Sequence, residues 1–284
     1  MIEISGLTKR YRQAVVVDDF SVSIAAGDAV ALWGPNGAGK TTVIRCILGL
    51  VSYQGEIRVS GMDARRHGKA VRGRIGYVPQ ELSFYDNMRV LELLDYSAGL
   101  RGLPRSRVDE VVDVIELGPH TDKLVRELSG GLKQRLGLGA ALLPDPEILL
   151  LDEPTSNLDA ASRDAAVRLL EGLRHEGRTL LVTSHHMEEV GMLVDRVVAM
   201  EDGKKRTECA PMDLAEELGL RAWLHLITPN GGAARALTIL KDAGFDAREN
   251  SRGVLVEVSA QQKGRAVAAL YEAGVVIEDL EVWR

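Results

Sequence analysis

The segment Gly34-Pro-Asn-Gly-Ala-Gly-Lys-Thr41 sets glycines, a lysine and a hydroxyl at the spacing of a phosphate-binding P-loop. Glycines at 34, 37 and 39 let backbone N–H groups curl around phosphate oxygens, and a helix beginning near Thr42 would turn its positive end toward the same anion. Lys40 has the reach for β and γ phosphates, and the Thr41 hydroxyl is the kind that ligates Mg²⁺. Asn36 and Thr42 are secondary phosphate contacts. A second acidic element follows in Glu147-Ile-Leu-Leu-Leu-Asp-Glu-Pro154, where Asp152 and Glu153 come directly after four apolar residues. Carboxylates at the end of a strand buried on both faces need a partner. Beside a P-loop, Asp152 can hold Mg²⁺ through its water shell, and Glu153 can polarise a water that attacks the γ phosphate.

Those groups have to be placed by strands and helices. From residue 1 to about 210, short β-branched or leucine runs alternate with glycine turns and longer amphipathic stretches, which predicts an α/β fold. Ala29–Trp33, Ile148–Leu151 and Thr179–Thr183 read as buried strands, and the first of them leads into the P-loop. Between about 84 and 145 the pattern shifts to helix, with Val90–Ala98, Arg107–Ile115 and Leu132–Leu142 showing helical apolar spacing. After Cys209–Met212 the rhythm changes to strand Trp223–Ile227, helix Ala233–Ala243, strand Phe245–Glu249, strand Val254–Val258, helix Gln262–Ala273 and strand Val275–Val282. That order, βαββαβ, is the split-βαβ, ferredoxin-like module. The expected domains are 1–215, with a helical subdomain at about 84–145, and an α+β module at 221–284.

A P-loop with an acidic strand end fits kinases and GTPases as well as transport ATPases, so it specifies nucleotide chemistry and not the task. The segment between the two motifs separates these. Leu128-Ser-Gly-Gly-Leu-Lys-Gln-Arg135 puts Ser129 at a helix N-cap, and Gly130 and Gly131 leave room for backbone to approach an anion. Here the chain resembles the ABC ATPase family, whose LSGGQ signature it departs from at Leu132. The resemblance covers about residues 2–210 and implies a P-loop NTPase fold with a helical subdomain. Gln80, in Gly-Tyr-Val-Pro-Gln, resembles the Q-loop glutamine that senses Mg²⁺ and the attacking water. Ser156-Asn-Leu-Asp159 resembles the D-loop, His185 the switch histidine that contacts the γ phosphate, and Tyr11 the ring that stacks on adenine. His186 has no such match.

The same resemblance implies ATP and Mg²⁺ as cofactors, with Thr41, Gln80 and Asp152 around the metal. It also implies a second ATPase subunit, a homodimer by expectation. In the family the signature of one subunit covers the ATP on the P-loop of the other. The other implied partner is a transmembrane permease docking near Ser83–Arg89, which would hold the protein peripherally on the cytoplasmic face of the cell membrane. Asn87–Pro104 resembles the exporter and drug-resistance branch, and the final module resembles C-terminal extensions of ABC-2-type export ATPases. Multidrug compounds, lipid-linked glycans and a factor for copper-enzyme maturation of the nitrous-oxide-reductase accessory kind are all compatible cargoes. The rivals are a soluble ABC ATPase of the iron–sulfur assembly, translation or repair type, and a small-molecule P-loop kinase, which would need no signature helix.

Composition sets outer bounds. The 284 residues can bury a substantial core without disulfides, and the two cysteines, Cys46 and Cys209, form neither a disulfide framework nor a metal-ligand spacing. A reducing cytosol fits this usage, and the first residues lack the basic patch and apolar run of a secretory signal. No apolar run approaches the ~18 residues of a membrane-spanning helix. A formal charge of −6 argues against bulk attraction to nucleic acid, which is not an expected partner.

Overall fold

A computed structural model of the protein describes residues 1–156, 158–186, 191–229, 232–250, 252–259 and 261–283. The chain divides into two compact units, Met1–Pro211 and Met212–Arg284.

In the first unit the opening strands are β1 (Ile2–Tyr11), β2 (Ala14–Ile24) and β3 (Ala29–Trp33). β1 alternates buried and exposed positions from Ile2 to Ile4 and pairs antiparallel with β2. β3 is apolar on both faces, as a central parallel strand must be. Helix α1 (Lys40–Ile47) follows, then β4 (Gln54–Val59), β5 (Met62–Asp63), α2 (Gly68–Gly73) and β6 (Ile75–Val78). Three helices come next, α3 (Val90–Gly99), α4 (Arg105–Val114) and α5 (Gly130–Leu142). The unit continues through β7 (Ile148–Asp152), α6 (Ala160–His175), β8 (Thr179–Ser184), β9 (Arg196–Glu201) and β10 (Lys204–Cys209).

These strands make two sheets. One is antiparallel, in the order β2-β1-β4-β5; the other runs β10-β9-β3-β8-β7-β6 and is parallel except at β10. Strand-helix alternation describes the second sheet, whereas the first 63 residues also build the antiparallel layer. Its pairings, such as Ile2 with Val59, join segments far apart in sequence, so local periodicity does not announce them. Ile2, Leu7, Phe20 and Ile57 from this layer share a core with Val43, Ile44 and Ile47 of α1 and Leu150 of β7. The P-loop helix is therefore clamped between the two sheets.

The parallel register fixes what stands beside what. Trp33 pairs with Ser184, Asp152 with Thr183, and Val78 with Leu151, so the carboxyl ends of β3, β8, β7 and β6 lie side by side. In open α/β sheets that edge is where ligands bind.

The second unit contains α7 (Leu214–Glu217), β11 (Ala222–Ile227), α8 (Ala233–Asp242), β12 (Asp246–Asn250), β13 (Gly253–Val258), α9 (Gln262–Glu272) and β14 (Asp279–Trp283). Its antiparallel sheet has the order β12-β13-β11-β14, the ferredoxin-like arrangement, with Leu224, Leu226, Val254 and Val256 packed on Ala236, Leu240, Ala266 and Leu270 of the helices. Two strand starts differ from the sequence reading for one reason. After α9, Gly274 at φ +68° donates to Tyr271 O and Val275 N donates to Leu270 O. This left-handed helix stop uses up Val275, and β14 begins only at Asp279. Gly244 at φ +86° and Phe245 repeat the device after α8, and β12 begins at Asp246.

Candidate functional site

At the end of β3 the chain turns through Gly34, Gly37 and Gly39, the last two at φ +87° and +99°, and enters α1 at Lys40. A Cβ on Gly39 would lie 2.7 Å from the Val16 carbonyl oxygen, so the loop is held against the β1–β2 layer by an approach that only glycine allows. The loop, from Asn36 to Thr42, lines a cavity of about 260 Å³ together with Val16, Gln80 and Glu153. Its backbone and the start of α1 offer an anion a positive wall.

Lys40 is 5% exposed and donates to Gly34 O at 2.6 Å and Pro35 O at 3.1 Å. Its ammonium also stands 3.7 Å from Glu153 Oε1. Burial pulls the Lys40 pKa below the usual lysine value, opposed by the charges of Glu153 and Asp152. The buried ammonium is thus satisfied by carbonyls of its own loop, contacts that an anion in the cavity could exchange for its own oxygens.

Asp152 closes β7 at 1% exposure. Its Oδ1 accepts from Thr41 Oγ1 at 3.0 Å and from Thr183 Oγ1 at 2.6 Å. The next residue, Glu153, has φ +49°, a left-handed conformation that costs a side-chain-bearing residue free energy. The surroundings hold it there: Glu153 N donates to Thr183 Oγ1 at 2.9 Å, and Glu153 O accepts from Ser156 Oγ at 2.9 Å. The carboxylate is thereby turned into the cavity, where Oε2 accepts from Gln80 Nε2 at 3.0 Å and Oε1 lies 3.2 Å from His185 Nδ1. The His185 nitrogen is not aligned for a hydrogen bond, and the ring instead lies against that of His186 at 4.0 Å between centroids.

Lys40, Thr41, Gln80, Asp152, Glu153 and His185 are therefore brought together from the ends of four neighbouring strands. Asn36, Gly37, Gly39 and Thr42 line the same cavity. Thr183 is the residue that motif reading passed over. It is 0% exposed, donates to the Asp152 carboxylate and accepts from the Glu153 backbone N–H; its only sequence signal was a second hydroxyl in an otherwise apolar strand.

Other expected residues stand elsewhere. Tyr11 ends β1 opposite Ala14, is 39% exposed and is not among the cavity walls. Ser129 caps α5 by accepting from Leu132 N at 3.4 Å, and Ser129 and Gly130 are exposed, outside the cavity. A Cβ on Gly131 would fall 2.5 Å from Ser162 Oγ of α6. Ser162 is itself tied to the Asp159 cap, which fixes the start of α5 against the start of α6. Within the D-loop-like segment, Asn157 lies outside the described residues.

Thr41 and Asp152 fit Mg²⁺ by donor type: both contribute hard oxygen, they are hydrogen-bonded to each other, and Thr183 fixes Asp152 from the other side. Among the described residues no group of three or more His, Cys, Asp or Glu could hold a metal unaided. Gln80 would need its amide oxygen for such a role, and here it is engaged through Nε2.

Comparison with known proteins places this geometry in context. The family model described as ABC transporter matches residues 17–156. The Nod factor export ATP-binding protein I of Paraburkholderia xenovorans (strain LB400) is 38% identical over 224 residues, covering 77% of this chain and 74% of that protein. The linearmycin resistance ATP-binding protein LnrL of Bacillus subtilis (strain 168) is 34% identical over 276 residues, 95% of this chain and 89% of that one. Among solved structures, cbiO1 from Clostridium perfringens, part of the ABC transporter complex cbiONQ, aligns with a TM-score of 0.70 at 25% identity, covering 76% of this chain and 92% of that one. A dimeric ATP-binding cassette in a post-hydrolysis state with ADP and Pi aligns at 0.67, also 25% identical, over 74% of this chain and 99% of that one.

Proposed function

The chain belongs to the ABC transporter family as an ATP-binding, ATP-hydrolysing subunit, and from that premise we propose how its own residues bind and cleave ATP and couple the reaction to export. The observation that carries the proposal is the buried Lys40, Asp152 and Glu153 cluster at the P-loop, facing a cavity sized for phosphates.

The P-loop amides and Lys40 receive the β and γ phosphates, Lys40 exchanging its loop carbonyls for phosphate oxygens. Thr41 and Asp152 would hold Mg²⁺, which would supply positive charge to neutralise the phosphates. Glu153 orients a water at the γ phosphate and accepts its proton as the new P–O bond forms and the bond to ADP breaks. Gln80, hydrogen-bonded to Glu153, and His185, 3.2 Å from it, position that water and the γ phosphate. Tyr11 stacks on adenine.

Because Ser129 and Gly130 are exposed, and neither they nor Gly131 is among the walls of the P-loop cavity, a complete site takes all three from a second copy, in a head-to-tail homodimer that ATP glues together. Among the described residues no helix is long and apolar enough to cross a membrane, so transport needs a separate transmembrane permease. Its dock is the surface at Ser83–Arg89, which adjoins a groove of about 420 Å³ with Leu50, Tyr77, Leu82, Phe84 and Arg101 among its walls. Tyr85 and Leu50 expose 66% and 60% of their surface there, as a docking face requires. This arrangement keeps the protein peripheral on the cytoplasmic side of the membrane. The relatives that carry export and resistance names favour an exporter over a soluble, non-transport ATPase. The second unit serves interaction in place of chemistry.

Glu153→Gln tests the core of the proposal. The variant keeps the hydrogen-bonding outline of the site without a base, so it should bind ATP, lose at least about 100-fold in steady-state phosphate release, and elute as an ATP-dependent dimer. Turnover close to wild type would reject Glu153 as the base.

A further inference from the structure

Lys9 is a buried lysine that the mechanism above does not use. It is 7% exposed, on β1, two residues before Tyr11 and on the same face of the strand. Its ammonium donates to Ser52 O at 2.6 Å, lies 3.5 Å from Ser52 Oγ and stands 4.5 Å from the centroid of the Tyr11 ring. Two oxygens and one aromatic face thus account for its three N–H groups. No carboxylate pairs with Lys9 among the described residues, so the ring is part of what stabilises the charge. Ser52 follows the end of α1, the helix that begins at the P-loop lysine; in that helix's last turn burial pushes the Cys46 thiol pKa up to about 11, opposed by the charge of Lys9.

We propose that Lys9 is a positioning residue for nucleotide binding: it fastens the Tyr11 ring to the far end of the phosphate-binding helix, so that a base stacked on the open face of the ring and the phosphates in the P-loop sit at a fixed separation. One face of the Tyr11 ring is covered by the cation and the residue remains 39% exposed, which leaves room for adenine on the other face. Stacking on a free tyrosine would have to order that side chain first. A ring already held by a buried ammonium has lost that freedom before the nucleotide arrives. The inference deepens the proposed function and rests on the reading of Tyr11 as the adenine platform.

The test separates base binding from phosphate binding. Calorimetry on the full chain, with Mg²⁺ throughout, compares ATP with inorganic tripolyphosphate. In Lys9→Met the stem is kept and the charge lost: ATP affinity should fall about five-fold, in the range of one cation–π contact, with tripolyphosphate affinity unchanged. The KM for ATP should rise by the same factor at constant kcat, and Lys9→Arg should recover most of the loss. If Lys9→Met fails to fold, Lys9→Gln carries the same expectation. Equal weakening of both ligands would make Lys9 merely structural and overturn the proposal. So would unchanged ATP binding in Lys9→Met while Tyr11→Ala weakens it. Tyr11→Ala binding ATP as tightly as wild type would instead remove the adenine platform itself, and this inference with it.

Discussion

In the unit Met1–Pro211, Lys40, Asp152 and Glu153 are buried within one cluster; in the unit Met212–Arg284, His225 is buried at 2% exposure in the middle of a sheet. The first cluster is left open. Lys40 leans on carbonyls of its own loop, Glu153 sits at φ +49°, and the His185 nitrogen near it is not aligned for a hydrogen bond. The second is closed. His225 Nδ1 meets Glu281 Oε2 at 3.2 Å, Nε2 accepts from Asn250 Nδ2 at 3.0 Å, and Trp283 covers the ring at 4.8 Å while its own Nε1 donates to the same carboxylate. Buried polarity signals chemistry where the groups are strained and face a cavity, and architecture where they satisfy one another.

The sharpest way to break this contrast is at Lys40. If the buried charge is kept for phosphate, Lys40→Ala should lower ATP affinity by about 100-fold or more, since it removes the buried cation at the cradle and leaves Glu153 and Asp152 to repel the ligand. Calorimetry showing unchanged ATP binding would place the phosphates elsewhere.

A smaller effect is expected one step out. Thr183→Val keeps the side-chain volume but removes the hydroxyl that bonds Asp152 Oδ1 and receives Glu153 N. One bond to a charged group contributes about 1.5–3 kcal/mol, so turnover should fall at least about ten-fold with the P-loop itself intact. Wild-type kcat in this variant would show that the carboxylates need no support from β8.

Thr183 also marks the limit of what the sequence disclosed. The P-loop, the paired acids after Leu151 and the strand into Gly34 were readable because each is contiguous and its spacing carries its own physical reason. The Thr183 role depends on a register, Asp152 opposite Thr183, that joins two strands with α6 between them. The antiparallel pairing of Ile2 with Val59 was hidden for the same reason, as was the Lys9 contact with Ser52. In the second unit the element order was legible, but Val275 read as the start of a strand when the helix stop before it had already used its N–H. Alternating apolar residues cannot say which of two backbone partners will win.

The smallest effect should come from the closed network, and it decides whether closure means architecture. His225→Phe preserves an aromatic ring under Trp283 but leaves Asn250 Nδ2 without its acceptor and removes a donor from Glu281. Glu281 is partly exposed and can turn to water, so most of the cost falls on the Asn250 amide, whose own oxygen is already taken by Arg252 N. Leaving a fully buried polar group unpaired costs about 1–3 kcal/mol; Asn250 is half-buried, so the cost falls at the low end of that range and is partly offset by the apolar ring. Urea unfolding of the full chain should therefore show the transition of the second unit moved to lower denaturant and that of the first unmoved. ATP hydrolysis per molecule, measured below either transition, should equal wild type. A loss of hydrolysis in the folded variant would mean that His225 reports to the nucleotide site, and the division between an open, chemical burial and a closed, structural one would no longer hold.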